Sequence, residues 1–221
     1  MNYLDKLIPL FEDQRNEEQA APMKKYMKNH FSFLGIKTPA RVQLMKEFYI
    51  DTAILKRPFQ RDLVLTLWGK QEREYQYAAL DYIGRSLKKL EKDDLFLLEK
   101  LITAKSWWDT VDALAQNPVA KLAASYPEVI PETIDSFVID ENIWLQRTAI
   151  LFQLKYKQDT DEALLYHYIK HNAASTEFFI QKAIGWALRE YSKTNPDSVR
   201  DFIKESDLAK LSIREGSKYL K

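Results

Sequence analysis

Tyr77-Ala78-Ala79-Leu80, Asp112-Ala113-Leu114-Ala115, Arg147-Thr148-Ala149-Ile150 and Lys182-Ala183-Ile184-Gly185 stand at successive steps of 35 residues. Each is a variable residue followed by small or apolar ones. Apolar segments with helical periodicity precede them at 63–68, 95–102, 129–138 and 164–169, and a fifth follows at 199–203. A helix pair of this length cannot bury its own apolar faces, so stacking against neighbouring pairs has to complete the core. The predicted fold is all-α: a curved superhelical solenoid of HEAT-like, armadillo-type repeats. Ala78, Ala113 and Ala183 mark positions where helices approach closely.

Composition agrees. With 46% hydrophobic residues the 221-residue chain can bury a sizeable core, and only 5 glycines interrupt it. No stretch alternates apolar and polar residues long enough for a sheet. There is no cysteine, which excludes disulfides, thiolate nucleophiles and thiolate metal sites. The start, Met1-Asn2-Tyr3-Leu4-Asp5-Lys6, lacks the apolar run of a signal peptide, and no run of about 18 apolar residues suggests a membrane span. A cytoplasmic protein is expected. A net charge of +1 does not advertise a nucleic-acid binder, so any such surface has to be local, and 182–221 carries a modest cationic excess.

Proline punctuates the chain. Thr38-Pro39, Arg57-Pro58, Asn117-Pro118, Tyr126-Pro127 and Asn195-Pro196 read as helix starts, because a first helical turn tolerates the missing N–H. Residues 1–56 fall outside the register: Pro9 and Pro22 are expected to interrupt helical patterns, and Asn29 to Gly35 reads as a loop. This stretch is expected to be an atypical helical cap on repeats spanning 57–221, within one domain covering 1–221. His167 and His171 share a helix face by their spacing but have no third ligand, and a solvated face explains them. His30 has no visible carboxylate or serine partner. Gly-rich phosphate loops are absent, and no metal or organic cofactor is implied.

The repeated position carries the interest. Tyr77, Asp112, Arg147 and Lys182 are expected on one face, and residues four positions away on a helix share that face. This adds Trp108 beside Asp112 and Trp186 beside Lys182. Two readings stand at this point: a functional surface of two tryptophans, one carboxylate and two cations, or packed tryptophans with an inter-repeat ion pair between Asp112 and Arg147.

Lys105-Ser106-Trp107-Trp108-Asp109-Thr110-Val111-Asp112 closely resembles the signature of the AlkD family of DNA alkylation-repair glycosylases. Further similar segments are Tyr26-Met27-Lys28-Asn29-His30-Phe31, Phe33-Leu34-Gly35-Ile36-Lys37-Thr38-Pro39, Asn142-Ile143-Trp144-Leu145-Gln146-Arg147 and Ile180-Gln181-Lys182-Ala183-Ile184-Gly185-Trp186-Ala187-Leu188-Arg189. Together they span most of the chain. The resemblance implies a HEAT-like glycosylase that hydrolyses the N-glycosidic bond of cationic N3- and N7-alkylated purines, leaving an abasic site and not enclosing the base in a pocket. It places catalytic roles on Asp112, Trp108 and Trp186 and a backbone phosphate contact on Arg147. Lys182, Tyr26, Lys37, Thr38, Lys155, Arg189 and Lys193 become further DNA-binding candidates, and Tyr77 receives no role. The implied partner is double-stranded DNA containing alkylated purines, bound by a cytoplasmic, nucleoid-associated monomer with no obligate protein partner and no membrane. Two alternatives remain at this stage: a non-catalytic helical scaffold for protein, or a binder of damaged or branched DNA without excision.

Overall fold

Arg73, Trp108, Ile143 and Phe178 each begin a helix in the computed structural model, so the 35-residue step survives as a step between helix starts. The structure describes residues 2–220. In chain order the helices are α1 (Leu4–Glu12), α2 (Glu17–Tyr26), α3 (Thr38–Thr52), α4 (Arg61–Gly69), α5 (Arg73–Ser86), α6 (Asp94–Thr103) and α7 (Trp108–Leu114). They continue as α8 (Ala120–Ser125), α9 (Asp135–Ile139), α10 (Ile143–Leu151), α11 (Glu162–His171), α12 (Phe178–Tyr191), α13 (Pro196–Glu205) and α14 (Lys210–Gly216). Among the described residues there is no β-strand, only an isolated bridge between Ser32 and Glu72. The chain is an all-helical, helical-repeat protein, as its periodicity predicts, and the apolar segments at 95–102, 164–169 and 199–203 lie within α6, α11 and α13.

Two compact units divide the chain, Met1–Leu90 and Glu91–Lys221. In the first, α3 packs on α1 and α5, which groups the pair α4 and α5 with the residues ahead of it. The carboxylate of Glu74, on α5, reinforces this by accepting the N–H groups of Leu34, Gly35 and Ile36 at 2.9, 2.9 and 3.0 Å. Gly35 has φ +93°, and a Cβ there would lie 2.0 Å from the carbonyl oxygen of Asn16, so both conformation and space require glycine.

The second unit buries Ile150, Leu151, Leu165, Ile169, Ile180, Ile184, Leu188, Val199 and Phe202 in one cluster. Each such side chain contributes about 1.5–3 kcal/mol through removal of apolar area from water. The cluster draws on α10 to α13, so no single pair supplies it. That is the reason the pairs stack.

Proline behaves differently from its sequence reading at several places. Thr38-Pro39 and Asn195-Pro196 do open α3 and α13, the latter with the Asn195 side chain accepting from the Ser198 N–H. Pro58 and Pro127 instead lie in the connections ahead of their helices. Pro9 and Pro22 do not interrupt α1 and α2 but sit inside them, where each removes a single i→i−4 bond. Asn117-Pro118 is not a helix start: it lies in a π-helical turn, Ala115–Val119, that joins α7 to α8 as one continuous helix. The proline ring crowds the carbonyl four residues earlier, and widening the turn relieves that clash. The Asn117 side-chain amide donates to the Ala113 carbonyl at 2.8 Å, and the Tyr156 hydroxyl donates to the Ala120 carbonyl. Both neighbours thereby satisfy acceptors around the widened turn.

Candidate functional site

In the second unit, α7 and α10 are neighbours one repeat apart, and their equivalent positions meet. Arg147 Nε donates to Asp112 Oδ1 at 2.8 Å and Nη2 to Oδ2 at 2.9 Å, a bidentate pair. Nη1 donates to the carbonyl of Phe179 at the start of α12. Three of the five guanidinium N–H groups are thus engaged within the protein, leaving two. The side chains are 5% and 13% exposed for Arg147 and Asp112. The inter-repeat ion pair between Asp112 and Arg147 is therefore present, and both carboxylate oxygens take part in it.

Burial pushes the Asp112 carboxyl above the ordinary aspartate value, and the hydrogen bonds and charge of Arg147 pull it back only in part. The nearby Asp109 adds to the upward push. This carboxylate takes up a proton more readily than a surface aspartate.

An aromatic wall adjoins the pair. The Trp107 and Trp144 rings are 5.8 Å apart, and Phe179 lies 5.1 Å from Trp107 and 4.9 Å from Trp144. Phe178, 57% exposed, packs edge-on against Phe179. The Arg147 guanidinium carbon is 5.9 Å from the Phe179 ring centre. These rings lower the local dielectric and sharpen the charges of the pair. Trp144 and Phe179 are themselves 35 residues apart, a second register that runs three residues ahead of the Arg147–Lys182 one.

Trp108 is the first residue of α7, half-buried and one turn before Asp112. Trp186 is half-buried on α12 against the apolar cluster, one turn after Lys182. Lys182 and Arg189 do not point freely outward: both contact the buried carboxylate of Glu215 on α14, at 3.2 and 3.0 Å. Glu215 was not foreseen, because α14 begins 32 residues after α12 and lies off the 35-residue register. Lys193 pairs with Glu190 at 2.7 Å and lies over the Tyr219 ring, and Lys155 donates to the Asn117 side chain at 3.0 Å.

Tyr26, Lys37 and Thr38 belong to the N-terminal unit, where all three are exposed, Tyr26 at 69% at the end of α2 and the others at the start of α3. Tyr77 in the same unit has the Arg41 guanidinium 4.9 Å from its ring centre and that of the fully buried Arg73 at 5.9 Å. Its place in the row is occupied by packing against cations. Among the described residues no three His, Cys, Asp or Glu side chains group as metal ligands, and His167 and His171 are both exposed. No helix among them is long and apolar enough to cross a membrane.

A family model described as "DNA alkylation repair enzyme" matches residues 7–220. The solved structure of a predicted DNA alkylation repair enzyme from Enterococcus faecalis is similar with a TM-score of 0.86 and 38% identity, over 94% of this chain and 97% of that one. None of the curated proteins compared matches the chain.

Proposed function

This chain belongs to the DNA alkylation repair enzyme family, and from that premise we propose that it is a monofunctional DNA N-glycosylase acting on cationic N3- and N7-alkylated purines. The observation that carries the reading is Asp112: a carboxylate held in one orientation by a two-pronged arginine, partly open to solvent, one helical turn from Trp108.

One carboxylate suffices for this chemistry. Ordinary glycosidases need a second carboxyl to protonate the leaving group. An alkylated purine such as 3-methyladenine or 7-methylguanine is already cationic, so the C1′–N bond pair returns to the ring and the base departs neutral. Positive charge develops on the deoxyribose, where Asp112 stabilises it electrostatically. The oxygen of a water positioned by the same carboxylate forms the new bond to C1′, and its proton passes to the medium. Trp108 and Trp186 would present π faces to the sugar, an attraction that grows as the ring becomes cationic. Excision without enclosing the base, which the family resemblance implies, would suit bulky adducts.

Arg147 acquires a double task. Two N–H groups fix the plane of the Asp112 carboxylate, and the phosphate contact beside the lesion would fall to the two that remain beyond the one held by the Phe179 carbonyl. Lys182, Arg189, Lys193, Lys155, Lys37, Thr38 and Tyr26 are the proposed backbone contacts, acting through charge and hydrogen bonding and not through base edges.

The deciding experiment is release of free 7-methylguanine or 3-methyladenine from methylated duplex DNA by the wild-type chain and by Asp112→Asn. The expected outcome is release by the wild type and a loss on the order of 10²–10³ in single-turnover rate for the variant, the usual cost of removing one preorganised electrostatic stabiliser. A variant that keeps the wild-type rate sinks the assignment. A wild type that binds methylated DNA but releases no base leaves a damage binder instead.

A further inference from the structure

Four cationic side chains converge on Glu215. Lys182 Nζ lies 3.2 Å and Arg214 Nη2 3.9 Å from its Oε1, while Arg189 Nη1 lies 3.0 Å and Lys218 Nζ 2.7 Å from its Oε2. The Glu215 side chain is 7% exposed; those of Lys182, Arg189, Arg214 and Lys218 are 37%, 24%, 72% and 48% exposed. The single negative charge is therefore inside and the positive charges face outward. Four like charges gathered in one place repel, and one buried carboxylate beneath them offsets the repulsion while leaving a positive surplus at the surface.

The seat of this carboxylate is specific. A Cβ at Gly185 would meet the Glu215 Cβ at 2.5 Å and the Ser212 carbonyl oxygen at 3.0 Å, so only glycine lets α14 lie this close to α12. The Ser212 hydroxyl donates to the Gln181 carbonyl at 3.0 Å and fixes the crossing. On α12, Lys182, Trp186 and Arg189 follow the i, i+4, i+7 rule and share one face. The cations therefore continue the face that carries Trp186.

We infer that Lys182, Arg189, Arg214 and Lys218 form one phosphate-binding cluster for the backbone of duplex DNA, assembled by Glu215 as its positioning residue. The inference rests on the DNA-facing reading of α12 and adds to it two cations, Arg214 and Lys218, and the carboxylate that gathers all four. Convergent cationic heads around one buried carboxylate suit successive phosphodiesters, each carrying one negative charge, along a DNA backbone. The Glu215 carboxyl is held down to about 2, foremost by the hydrogen bond from Lys218, so it is ionised at neutral pH.

Fluorescence anisotropy with an undamaged duplex, run as a salt series, tests this on the full chain. Arg214→Ala/Lys218→Ala is expected to bind several-fold more weakly and to lower the slope of log K against log salt by about 1.8, close to two released counterions. Lys204→Ala removes a charge from an exposed pair on α13 outside the cluster and is expected to leave the slope unchanged. The cluster is overturned if the double variant keeps the wild-type slope, if Lys204→Ala lowers it as much per charge, or if the wild type shows no salt-dependent duplex binding. A wild type inactive in base release, with the slope difference present, overturns the glycosylase reading and leaves the cluster standing.

Discussion

The Asp112–Arg147 pair and the Glu215 cluster solve the same problem in opposite ways. Each is a carboxylate whose side chain is little exposed and which pairs with a cation of a neighbouring helix, Arg147 for Asp112 and Lys182 and Arg189 for Glu215. Asp112 has one partner, and burial wins: its carboxyl is raised above the ordinary value. Glu215 has several, and the cations win: its carboxyl falls to about 2. Burial leads the shift at Asp112 and the hydrogen bond from Lys218 leads it at Glu215, so the two carboxyls move in opposite directions. A carboxylate with one partner is poised to act on a new positive charge, whereas a carboxylate with many is a scaffold.

The comparison breaks hardest at Arg147. Arg147→Ala leaves Asp112 buried without its counter-ion, and loss of one member of a buried pair costs about 3–5 kcal/mol. Denaturant unfolding should show that loss, and Asp112→Asn combined with Arg147→Ala should recover part of it. Recovery of nothing would mean the pair contributes less than its geometry implies.

Asp112→Asn comes next, with the 10²–10³ fall in excision stated above and DNA affinity retained. A related outcome is pH dependence. Activity needs the ionised carboxylate, and burial has raised its pKa, so the acid limb of the single-turnover rate should lie above that of an ordinary aspartate. A limb at or below the ordinary value would show that DNA binding cancels the effect of burial.

Gly185→Ala addresses the other region. The added methyl has no room beside Glu215 and forces α12 and α14 apart, at a cost of about 1–3 kcal/mol, typical of overpacking. Thermal melts would measure it, with excision per folded molecule less affected than duplex binding.

The smallest effect is expected from Glu215→Gln, through its pH dependence. The folded carboxyl titrates near 2 and the free one near 4.5, so its stabilisation is complete above about 4.5 and fades as pH falls toward 2. The melting-temperature gap between wild type and variant should therefore be widest near neutrality and close across that window. A gap independent of pH would assign the difference to packing instead of charge.

Particular residues show how much the sequence made legible. The 35-residue step exposed the helix pairs, because a stacked core must repeat with its units, and it put Asp112 and Arg147 at equivalent positions. It could not tell whether the arginine faces its neighbour or solvent, since that depends on the Phe179 carbonyl and the aromatic wall. Glu215 stayed hidden because α14 breaks the step. Pro118 misled because the rule for proline describes free helix starts, whereas here Asn117 and Tyr156 stand ready to satisfy the loosened carbonyls. Trp108 and Trp186 needed only helical geometry to be placed beside the row.

A row built from equivalent positions in successive units has a consequence for how such a chain can grow. Duplicating the unit that carries Arg147 would preserve the spacing yet set one arginine against another, with no carboxylate between them. Copying the unit that carries Asp112 would set two carboxylates side by side. An added unit would need a partner for its charge from outside the row, as Lys182, the cation that follows Arg147, finds in Glu215. The Asp112–Arg147 pair thereby ties the charge of each repeat to the order in which the repeats follow one another.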